Sequence, residues 1–281
     1  MQTPEISIII ANYNNGPFFL DCYNSLISQT EKNWEAIIID DSSTDNSVEI
    51  IKNLLKEDNR FRFYQNEKNI GYQKTLVRGI SLSKANIFGR LDPDDALTPN
   101  ALDISINAHK NNPLVGLVYT NYSICDENLI EQKVSASQSV KYSPDFYNLN
   151  WSIGHFATFK KEIYAKTAGI DAYNKRAEDQ DIYLKMLETA PSLYIDSVVY
   201  LYRMHPSGAS TFANSEKSMF WHWVAIIKAA ERRGENVENL FVSNFVLKSK
   251  YDALEKSLMY LKKSRWYKIG KKLGLMQKVK L

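Results

Sequence analysis

The 281 residues can form one large α/β domain with an appendage, but they are too few for three domains. Hydrophobic residues make up 44% of the chain and charged residues 24%, which is ordinary for a folded soluble protein. The net charge of +3 is unevenly distributed: residues 256–281 hold nine Lys or Arg and no Asp or Glu, so the other 255 residues carry −6. Cys22 and Cys125 are too few for a disulfide framework and fit a reducing compartment.

The N-terminal segment lacks the features of a secretory signal. No basic region precedes its apolar run Ile6–Ala11, and that run is too short for a signal peptide or a membrane span. We therefore expect a cytoplasmic protein.

In the first hundred residues, apolar segments alternate with segments of helical spacing. Strands are predicted at Ile6–Ala11, Trp34–Ile39, Phe61–Gln65 and Ile87–Leu91. Helices are predicted to begin at Pro17, near Asp45–Ser47 and at Gly71, the last ending at Ser83. This alternation predicts a parallel sheet with helices on both faces, in which ligands bind beyond the carboxyl ends of the strands.

The rest of the chain has a weaker pattern. It predicts a helix at Pro99–Lys110, a strand at Leu114–Ile124 and an irregular loop over the site at Lys133–Trp151. Helices follow at Tyr164–Gly169 and Asp179–Thr189, and Leu193–Tyr202 is one long strand or a strand pair. Beyond Ser215 the chain is predicted to be helical, with an amphipathic stripe of Leu247, Tyr251, Leu254, Leu258 and Leu261.

Two acidic clusters directly follow predicted strands. Asp92, Asp94 and Asp95 stand within four residues, where their charges repel one another unless a cation lies among them. Oxygen ligands of this kind suit Mg²⁺ or Mn²⁺ held together with a substrate diphosphate. Asp40 and Asp41 follow the second predicted strand, where a carboxylate can accept a hydrogen bond from a pyrimidine N–H. Each cluster taken alone is also consistent with a solvated turn or a helix cap.

The motifs and their spacing together resemble the inverting glycosyltransferase family 2, whose fold is called GT-A. The resemblance covers residues 5–210, and its fold is α/β, with a mostly parallel central sheet flanked by helices and, in this chain, a C-terminal helical extension. The matching stretches are Ser7–Asn14, Ile39–Asp45, Asn69–Gly71, Gly79, Gly89–Asp95, Ala177–Asp181 and Tyr202–Pro206.

The resemblance implies a role for each matched residue. Asp179 is implied to be the general base, and Asp94 and His205 are implied to bind the metal, Mn²⁺ or Mg²⁺. The implied donor-binding residues are Asn12 and Asp41 at the nucleoside, Asp92 at the ribose and diphosphate, and also Asn14, Gly71, Lys74 and Arg90. Acceptor contacts are expected from Glu178, Trp151 and His155, although core packing explains the two aromatic residues equally well.

The chain also departs from the family pattern. Ser42 stands where the family usually has Gly, and Pro93 stands where it has Ala or Ser. Thr75–Val77 replaces an Ala-Arg-Asn run, and Leu76 and Val77 cannot make the contacts of Arg and Asn. Either Lys74, Arg78 or Arg90 compensates, or the donor differs from the common one.

The expected chemistry is a direct displacement at an anomeric carbon. A divalent metal neutralises the departing diphosphate. A carboxylate accepts the proton of the attacking hydroxyl, and the two are held in line. One base and one displacement predict inversion of the anomeric configuration. The expected donor is a nucleotide-diphospho-sugar, with UDP the expected nucleotide, and the expected acceptor is a glycan or lipid-linked hydroxyl in cell-surface polysaccharide biosynthesis.

Other classes fit less well. No G-x-G-x-x-G follows the first strand, and no P-loop motif is present, which disfavours a dinucleotide-dependent oxidoreductase and a kinase or NTPase. A sugar nucleotidyltransferase would carry a basic glycine-rich loop where Asn12–Gly16 has no basic residue. A non-catalytic nucleotide-sugar-binding module would not need Asp179. No nucleic-acid partner is expected.

The predicted organisation is a catalytic domain over 1–212, divided into a nucleotide-sugar half (1–98) and an acceptor half (99–212), followed by a helical extension over 213–281. The basic tail carries Trp266 and Tyr267 among its lysines and arginines. This composition suits an anionic membrane surface, which predicts a peripheral protein on the inner face of the cell membrane. A solvated, partly disordered end is the alternative.

Overall fold

The computed structural model describes residues 3–56, 58–206, 208 and 214–272. Its first half alternates strand and helix as predicted. The strands are β1 (Ile6–Asn12), β2 (Trp34–Asp40), β3 (Phe61–Gln65) and β4 (Ile87–Arg90). The helices between them are α1 (Phe19–Ile27), α2 (Ser47–Leu55) and α3 (Tyr72–Leu82). Pro17 lies in a 3₁₀ turn (Gly16–Phe18) that leads into α1.

The second half is less regular. Its strands are β5 (Ala96–Leu97), β6 (Leu117–Cys125), β7 (Glu131–Ser135), β8 (Ala157–Lys160) and β9 (Ser192–Arg203). Its helices are α4 (Ala101–Asn111), α5 (Lys161–Tyr164), α6 (Glu178–Leu187) and α7 (Ser215–Arg233). Leu193–Tyr202 is therefore one long strand rather than a pair.

All the described strands join one sheet in the order β3-β2-β1-β4-β8-β6-β9-β5, and β7 pairs with the carboxyl-terminal part of β6. The pairings among β1, β2, β3 and β4 are parallel, and so is β6 with β9. β8 runs antiparallel between β4 and β6. Strands β1 to β4, which pair in parallel, lie within the predicted donor half, and the antiparallel strand next to them, β8, comes from the predicted acceptor half.

Alternate residues of β1 face two different apolar layers. Ile6, Ile8 and Ile10 pack with residues of α1, α2 and α4, whereas Ile9 and Ala11 pack with residues of α3 and α6. Helix α3 lies so close to β1 that a methyl group at Gly79 would stand 2.4 Å from Ile9 Cγ2. Burial on both faces explains the unbroken apolar sequence of β1 and β2.

Two local predictions need correction. Tyr164–Gly169 is not a helix: α5 ends at Tyr164, and Gly169 has a φ of +66°, which interrupts helical geometry. The segment Lys133–Trp151 is irregular only in part, because β7 pairs with β6 as far as Ser135. The predicted helix start near Asp45–Ser47 agrees with the structure, in which Asn46 is at the N-cap position and α2 begins at Ser47.

Contacts divide the chain into two units, residues 1–229 and 230–281. The second unit contains α8 (Glu238–Phe241), a π-helical turn (Val242–Leu247), α9 (Lys248–Lys263) and α10 (Arg265–Lys272). Within the described residues no helix combines the length and apolarity needed to cross a membrane. The predicted boundary after residue 212 lies among residues outside the described part and stays a prediction.

Candidate active site

The carboxyl ends of β1, β2 and β4 bring the two acidic clusters to one edge of the sheet. Asn12 at the end of β1 is in register with Asp40 at the end of β2. Leu91, which follows β4, donates its backbone N–H to the carbonyl of Ile9 in β1 (3.1 Å), so the chain enters the Asp92–Asp95 segment beside these residues. The parallel sheet thereby gathers side chains that are about fifty residues apart in sequence.

Asp41 holds the loop in front of α3. Its carboxylate accepts hydrogen bonds from the backbone N–H groups of Ile70 (2.9 Å) and Gly71 (2.8 Å) and from Asn66 Nδ2 (2.7 Å). Gly71 has a φ of +92°, which a side chain would strain, and it immediately precedes α3. Asp41 and Gly71, both predicted to bind donor, are thus joined in one structural unit.

Asn12 is almost fully buried. Its neighbour Asp40 can only accept a hydrogen bond, so the Nδ2 end of the Asn12 amide faces Asp40. Its Nδ2 donates to Asp40 Oδ2 (2.8 Å) and to Ser43 Oγ (3.2 Å). Its Oδ1 has no hydrogen-bond donor within the part of the chain that the structure describes. A buried amide oxygen without a donor is costly, and a ligand N–H would satisfy it.

Asn14 ties the first two loops together. Its Oδ1 accepts from the backbone N–H groups of Thr44 (2.8 Å) and Asp45 (3.3 Å), and its own backbone N–H donates to Ser43 Oγ. Its φ of +55° lies in the left-handed region that Asn tolerates better than most residues. The side chain therefore shapes the loop that would surround a nucleoside.

Lys74, Arg78 and Arg90 are the basic residues that could compensate for the Arg and Asn missing at Thr75–Val77, and their surroundings differ. Lys74 is exposed on the first turn of α3. Arg78 donates to the carbonyl of Gln65 and to Asn66 Oδ1, which holds it at the end of β3. Only Arg90 reaches the acidic cluster after β4.

Arg90 connects the two halves of the domain. Its Nη2 lies 3.3 Å from Asp92 Oδ2, and its Nη1 donates to Glu178 Oε1 at 2.5 Å. Tyr72 OH donates to the other oxygen of Asp92 at 2.5 Å. Both oxygens of Asp92 therefore have partners within the protein, and Asp92 is fixed to the start of α6 through one guanidinium.

Asp94 and His205 lie together, as predicted for a shared ligand. His205 Nε2 is 2.8 Å from Asp94 Oδ2, and the imidazole packs against Phe18 with ring centroids 4.6 Å apart. Arg203 supports this pair: its Nε donates to the carbonyl of Asp94 (2.6 Å).

Asp95 belongs to the scaffold rather than to the site. It is buried and accepts hydrogen bonds from Tyr200 OH (2.6 Å) and the backbone N–H of Arg203 (2.7 Å). Burial raises the pKa of Asp95, and the charges of Asp94 and Asp92 add to that rise. Asp95 thereby fastens the loop after β4 to β9.

Asp179 occupies the first turn of α6, next to Glu178. The chain enters this helix through Ala177, whose φ of +56° makes a sharp turn. Burial raises the pKa of Glu178 to about 7, since the Arg90 guanidinium offsets only part of the cost and Asp179 adds to it. One cavity is lined at its polar end by Arg90, His155, Glu178 and Asp179.

The two aromatic residues expected at the acceptor side have different surroundings. Trp151 is 46% exposed, and its indole stacks on His222 of α7 with centroids 4.6 Å apart. His155 stacks on Tyr200 and Tyr202 of β9 at 5.2 and 5.7 Å. Burial and the Arg90 charge lower the pKa of His155, which favours its neutral form.

Comparison with known proteins decides the class of this site. The sequence profile described as "Glycosyl transferase family 2" matches residues 7–168. The chain belongs to glycosyl transferase family 2. This glycosyltransferase is 28% identical over 211 residues to chondroitin synthase of Escherichia coli, a match covering 74% of this chain and 30% of that protein. The chain thus spans less than a third of that relative.

Solved structures show that the glycosyltransferase has the GT-A fold. It aligns with Staphylococcus aureus TarS in complex with UDP-GlcNAc (TM-score 0.64, 15% identity, 80% of this chain and 66% of that one). It also aligns with the mannosyltransferase PcManGT from Pyrobaculum calidifontis in complex with GDP-Man and Mn²⁺ (TM-score 0.60, 19% identity, 81% and 65%). The predicted α/β fold and family are confirmed.

Several residues that shape the site of this glycosyltransferase were not identified from sequence. Tyr72, Asn66, Tyr200 and Arg203 hold Asp92, Asp41, Asp95 and Asp94 respectively. Arg203 lies within Tyr202–Pro206, a stretch that matches the family, so the sequence marks its position but not its role. The others are common residue types whose partners become visible only when the sheet is assembled.

Proposed function

We propose that this chain is an inverting, metal-dependent enzyme that transfers a sugar from a nucleotide-diphospho-sugar, with UDP the expected nucleotide, to a glycan or lipid-linked hydroxyl in cell-surface polysaccharide biosynthesis. The observation that carries this proposal is the bridge from Asp92 through Arg90 to Glu178. It joins the strand edge proposed for the donor to the helix start that carries Asp179. The similarity to chondroitin synthase supports the polysaccharide assignment.

The donor assignment rests on the edge formed by β1, β2 and β4. The open Oδ1 of buried Asn12 can accept a hydrogen bond from the N–H of a nucleobase. The UDP-GlcNAc complex of TarS supports UDP, whereas the GDP-Man complex of PcManGT shows that the fold also serves another nucleotide. Lys74, exposed on the first turn of α3, is proposed as a further donor contact.

The residues at the proposed metal position fit Mg²⁺ or Mn²⁺ with few protein ligands. Asp94 and His205 offer one carboxylate and one imidazole 2.8 Å apart. The described part of the chain contains no cluster of three or more His, Cys, Asp or Glu side chains. Magnesium-type sites that use one or two protein ligands take their remaining ligands from substrate phosphates and water. When bound, such an ion would neutralise charge on the leaving diphosphate.

Asp179 is proposed to accept the proton of the acceptor hydroxyl. Glu178 cannot easily serve, because its carboxylate is buried against Arg90. Asp179 is partly exposed, and within the described residues its carboxylate accepts one hydrogen bond, from the backbone N–H of the neighbouring Gln180 (2.8 Å). A single base acting in one displacement gives a product of inverted configuration.

Replacement of Asp179 by Asn tests the proposal. The change keeps the size of the side chain but removes the base, and general-base loss typically costs about 10²–10⁴ in rate. Donor affinity, measured by calorimetry with UDP-sugars and Mn²⁺, should stay unchanged, because no proposed donor contact is removed. Proton NMR of the product should show the opposite anomeric configuration from the donor. Turnover within a few-fold of wild type would exclude Asp179 as the base.

We also propose that the second unit attaches the enzyme to an anionic membrane surface. Lys256 is the first of seven basic residues within 256–272, a stretch that has no acidic residue. Large apolar side chains in the same helices are exposed: Leu254, Met259, Tyr260, Leu261, Trp266 and Ile269. Basic residues beside exposed apolar ones suit a headgroup layer, where each cation contributes about 1 kcal/mol. Residues 273–281 lie outside the described part.

Vesicle flotation tests the membrane proposal. Removal of Lys256–Leu281 should abolish flotation with vesicles that contain phosphatidylglycerol and leave turnover on a soluble acceptor intact. The variant Trp266→Ala should weaken flotation less than charge removal by Lys262→Gln and Lys263→Gln. Unchanged flotation of the truncated protein would favour the solvated tail.

A further inference from the structure

A groove outside the proposed donor site is built from two segments of the first unit. Its volume is about 440 Å³, within the roughly 300–1,000 Å³ typical of small-molecule sites. The loop before α6 and the first turns of α7 supply the lining residues, which are Lys175, Arg176, Glu216, Lys217, Phe220 and Trp221. On α7, the four-residue spacings place Lys217 beside Trp221 and Glu216 beside Phe220.

The groove has an aromatic wall that faces solvent. Phe220 is 58% exposed and Tyr173 is 71% exposed. Trp221 stands between them, in edge contact with Phe220 (centroids 5.3 Å apart) and with Tyr173 (5.7 Å). A contiguous exposed aromatic patch of this kind commonly marks a binding surface, and ring faces suit the C–H faces of sugars.

The groove is also positively charged. Lys175 and Lys217 are exposed, and neither has an ion-pair partner among the described residues. Arg176 also lines the groove, and one of its contacts is a hydrogen bond to Asn214 Oδ1 (3.2 Å). Outside the lining, Lys228 is paired with Asp171 at 2.6 Å. The lining therefore contains three basic residues and one carboxylate, Glu216, which favours binding of an anion.

The groove and the proposed base use neighbouring residues of the same chain segment. Arg176 is three residues before Asp179, and the sharp turn at Ala177 lies between them. On the other side, His222 follows Trp221 in α7, and the indole of Trp151 covers it. Burial lowers the pKa of His222 to about 4, and Asp179 is the charged group that opposes this change. Helix α7 therefore runs beside both the groove and Asp179.

We propose that this groove binds an acidic acceptor glycan. Its anionic groups face Lys175, Arg176 and Lys217, and a sugar ring packs on Phe220 and Trp221, while the hydroxyl to be glycosylated reaches Asp179. The inference rests on the proposed transfer reaction and adds the acceptor class to it. A sugar carboxylate and a backbone phosphodiester share the required chemistry.

Calorimetry with three defined oligomers tests the assignment. The probes are an unsulfated chondroitin hexasaccharide for carboxylate, a ribitol phosphate hexamer for phosphodiester, and maltohexaose as the neutral control. Wild-type protein should bind at least one acidic oligomer more tightly than maltohexaose, with an affinity that falls as salt rises. The acidic oligomer that binds shows whether the groove recognises a carboxylate or a phosphodiester. Failure of both acidic oligomers to bind overturns the proposal.

Two groove variants and a matched control sharpen the result. Lys175→Gln with Lys217→Gln should weaken acidic-oligomer binding by roughly three- to tenfold. Phe220→Ala should weaken it by roughly two- to tenfold. The control pair, Lys56→Gln with Lys84→Gln, removes two exposed lysines, one at the end of α2 and one between α3 and β4, and should change nothing. If the groove pair and the control pair weaken binding of the acidic oligomer equally, the effect reflects the overall charge of the protein, and the proposed site is wrong.

Donor titration separates this inference from the proposed function. If wild-type protein binds no UDP- or GDP-sugar with Mn²⁺ present, the proposed function fails. If donor binds and Asp179→Asn abolishes transfer, but the groove variants bind acidic oligomers as wild type does, only the acceptor groove is wrong.

Discussion

The proposed donor edge and the proposed acceptor side of this family 2 chain are built in opposite ways. At the donor edge, the carboxylates of Asp41 and Asp92 already have protein partners before any ligand binds. On the proposed acceptor side, Trp151, Tyr173 and Phe220 are exposed. Lys175 and Lys217 have no acidic partner there among the described residues, whereas Lys228 pairs with Asp171.

The two regions therefore differ in how they gain free energy when a ligand binds. A donor site whose loops are held by internal hydrogen bonds is preorganised, so little order must be created when the nucleotide sugar arrives. Exposed aromatic and basic side chains instead gain most when a ligand covers them, and they can accept acceptors of differing length. Arg90 is the residue that connects the two regions, and changes at this connection should have the largest effects.

Arg90→Met should destabilise the protein more than any other change considered. It leaves the buried carboxylate of Glu178 without its cation, and breaking a buried pair typically costs about 3–5 kcal/mol. Glu178 can relieve that cost by taking up a proton, so urea unfolding should show a smaller loss at pH 5 than at pH 8. The double variant Arg90→Met with Glu178→Gln should recover most of the stability. Equal losses at both pH values would contradict the role of this pair.

Glu178→Gln should flatten the dependence of stability on pH. The pKa of Glu178 is raised to about 7 in the folded protein, so the folded state binds the proton more tightly than the unfolded state. The resulting stabilisation is present below about pH 4.5 and is lost as the pH rises through about 7. Wild type should therefore lose up to about 3 kcal/mol relative to the variant, at 1.36 kcal/mol per pKa unit. Parallel curves for the two proteins would exclude the raised pKa.

Asp94→Ala should remove the metal response of donor binding. Its carboxylate and His205 are the proposed protein ligands, and loss of one should lower donor affinity in Mn²⁺ by roughly 10–100-fold. Affinity measured in EDTA should match wild type. Asp103→Ala, at an exposed position of α4, is a control of equal charge. A variant that keeps both the affinity and its metal response would show that Asp94 does not bind metal.

Asp41→Ala should weaken nucleotide binding with or without metal. The change removes the carboxylate that accepts from the N–H groups of Ile70 and Gly71, although Gly71 keeps a longer hydrogen bond to Asn69 Oδ1 (3.2 Å). An N–H left without an acceptor costs about 1–3 kcal/mol if it stays buried. Hydrogen exchange at these two amides should rise together with the Kd for UDP. Unchanged UDP affinity would place the nucleoside away from this loop.

Trp151→Ala should have the smallest effect of these changes, and that effect should be limited to acceptor binding. The indole covers His222 but is 46% exposed, so stability should change little. We expect the acceptor KM to rise by about two- to tenfold while the donor Kd is unchanged. If Trp151→Ala also changes donor affinity, donor and acceptor do not bind to separate regions as proposed.

Sequence alone determined the strands and helices of the donor half and the positions of its acidic clusters. The runs at β1 and β2 are apolar at every position because both faces of the sheet are covered, and polar residues begin where each strand ends. Motif order then gave the family. These signals are local, so they can be read without knowing which strands are neighbours.

Only the tertiary structure decided how the halves meet. The antiparallel insertion of β8, the bridge from Arg90 to Glu178 and the stacking of Trp151 on His222 each join segments separated by tens of residues. The sequence predicted donor binding for Arg90 and acceptor binding for Glu178, but it gave no reason to pair them. Contacts of this kind depend on strand order and helix placement, which packing of the whole core determines.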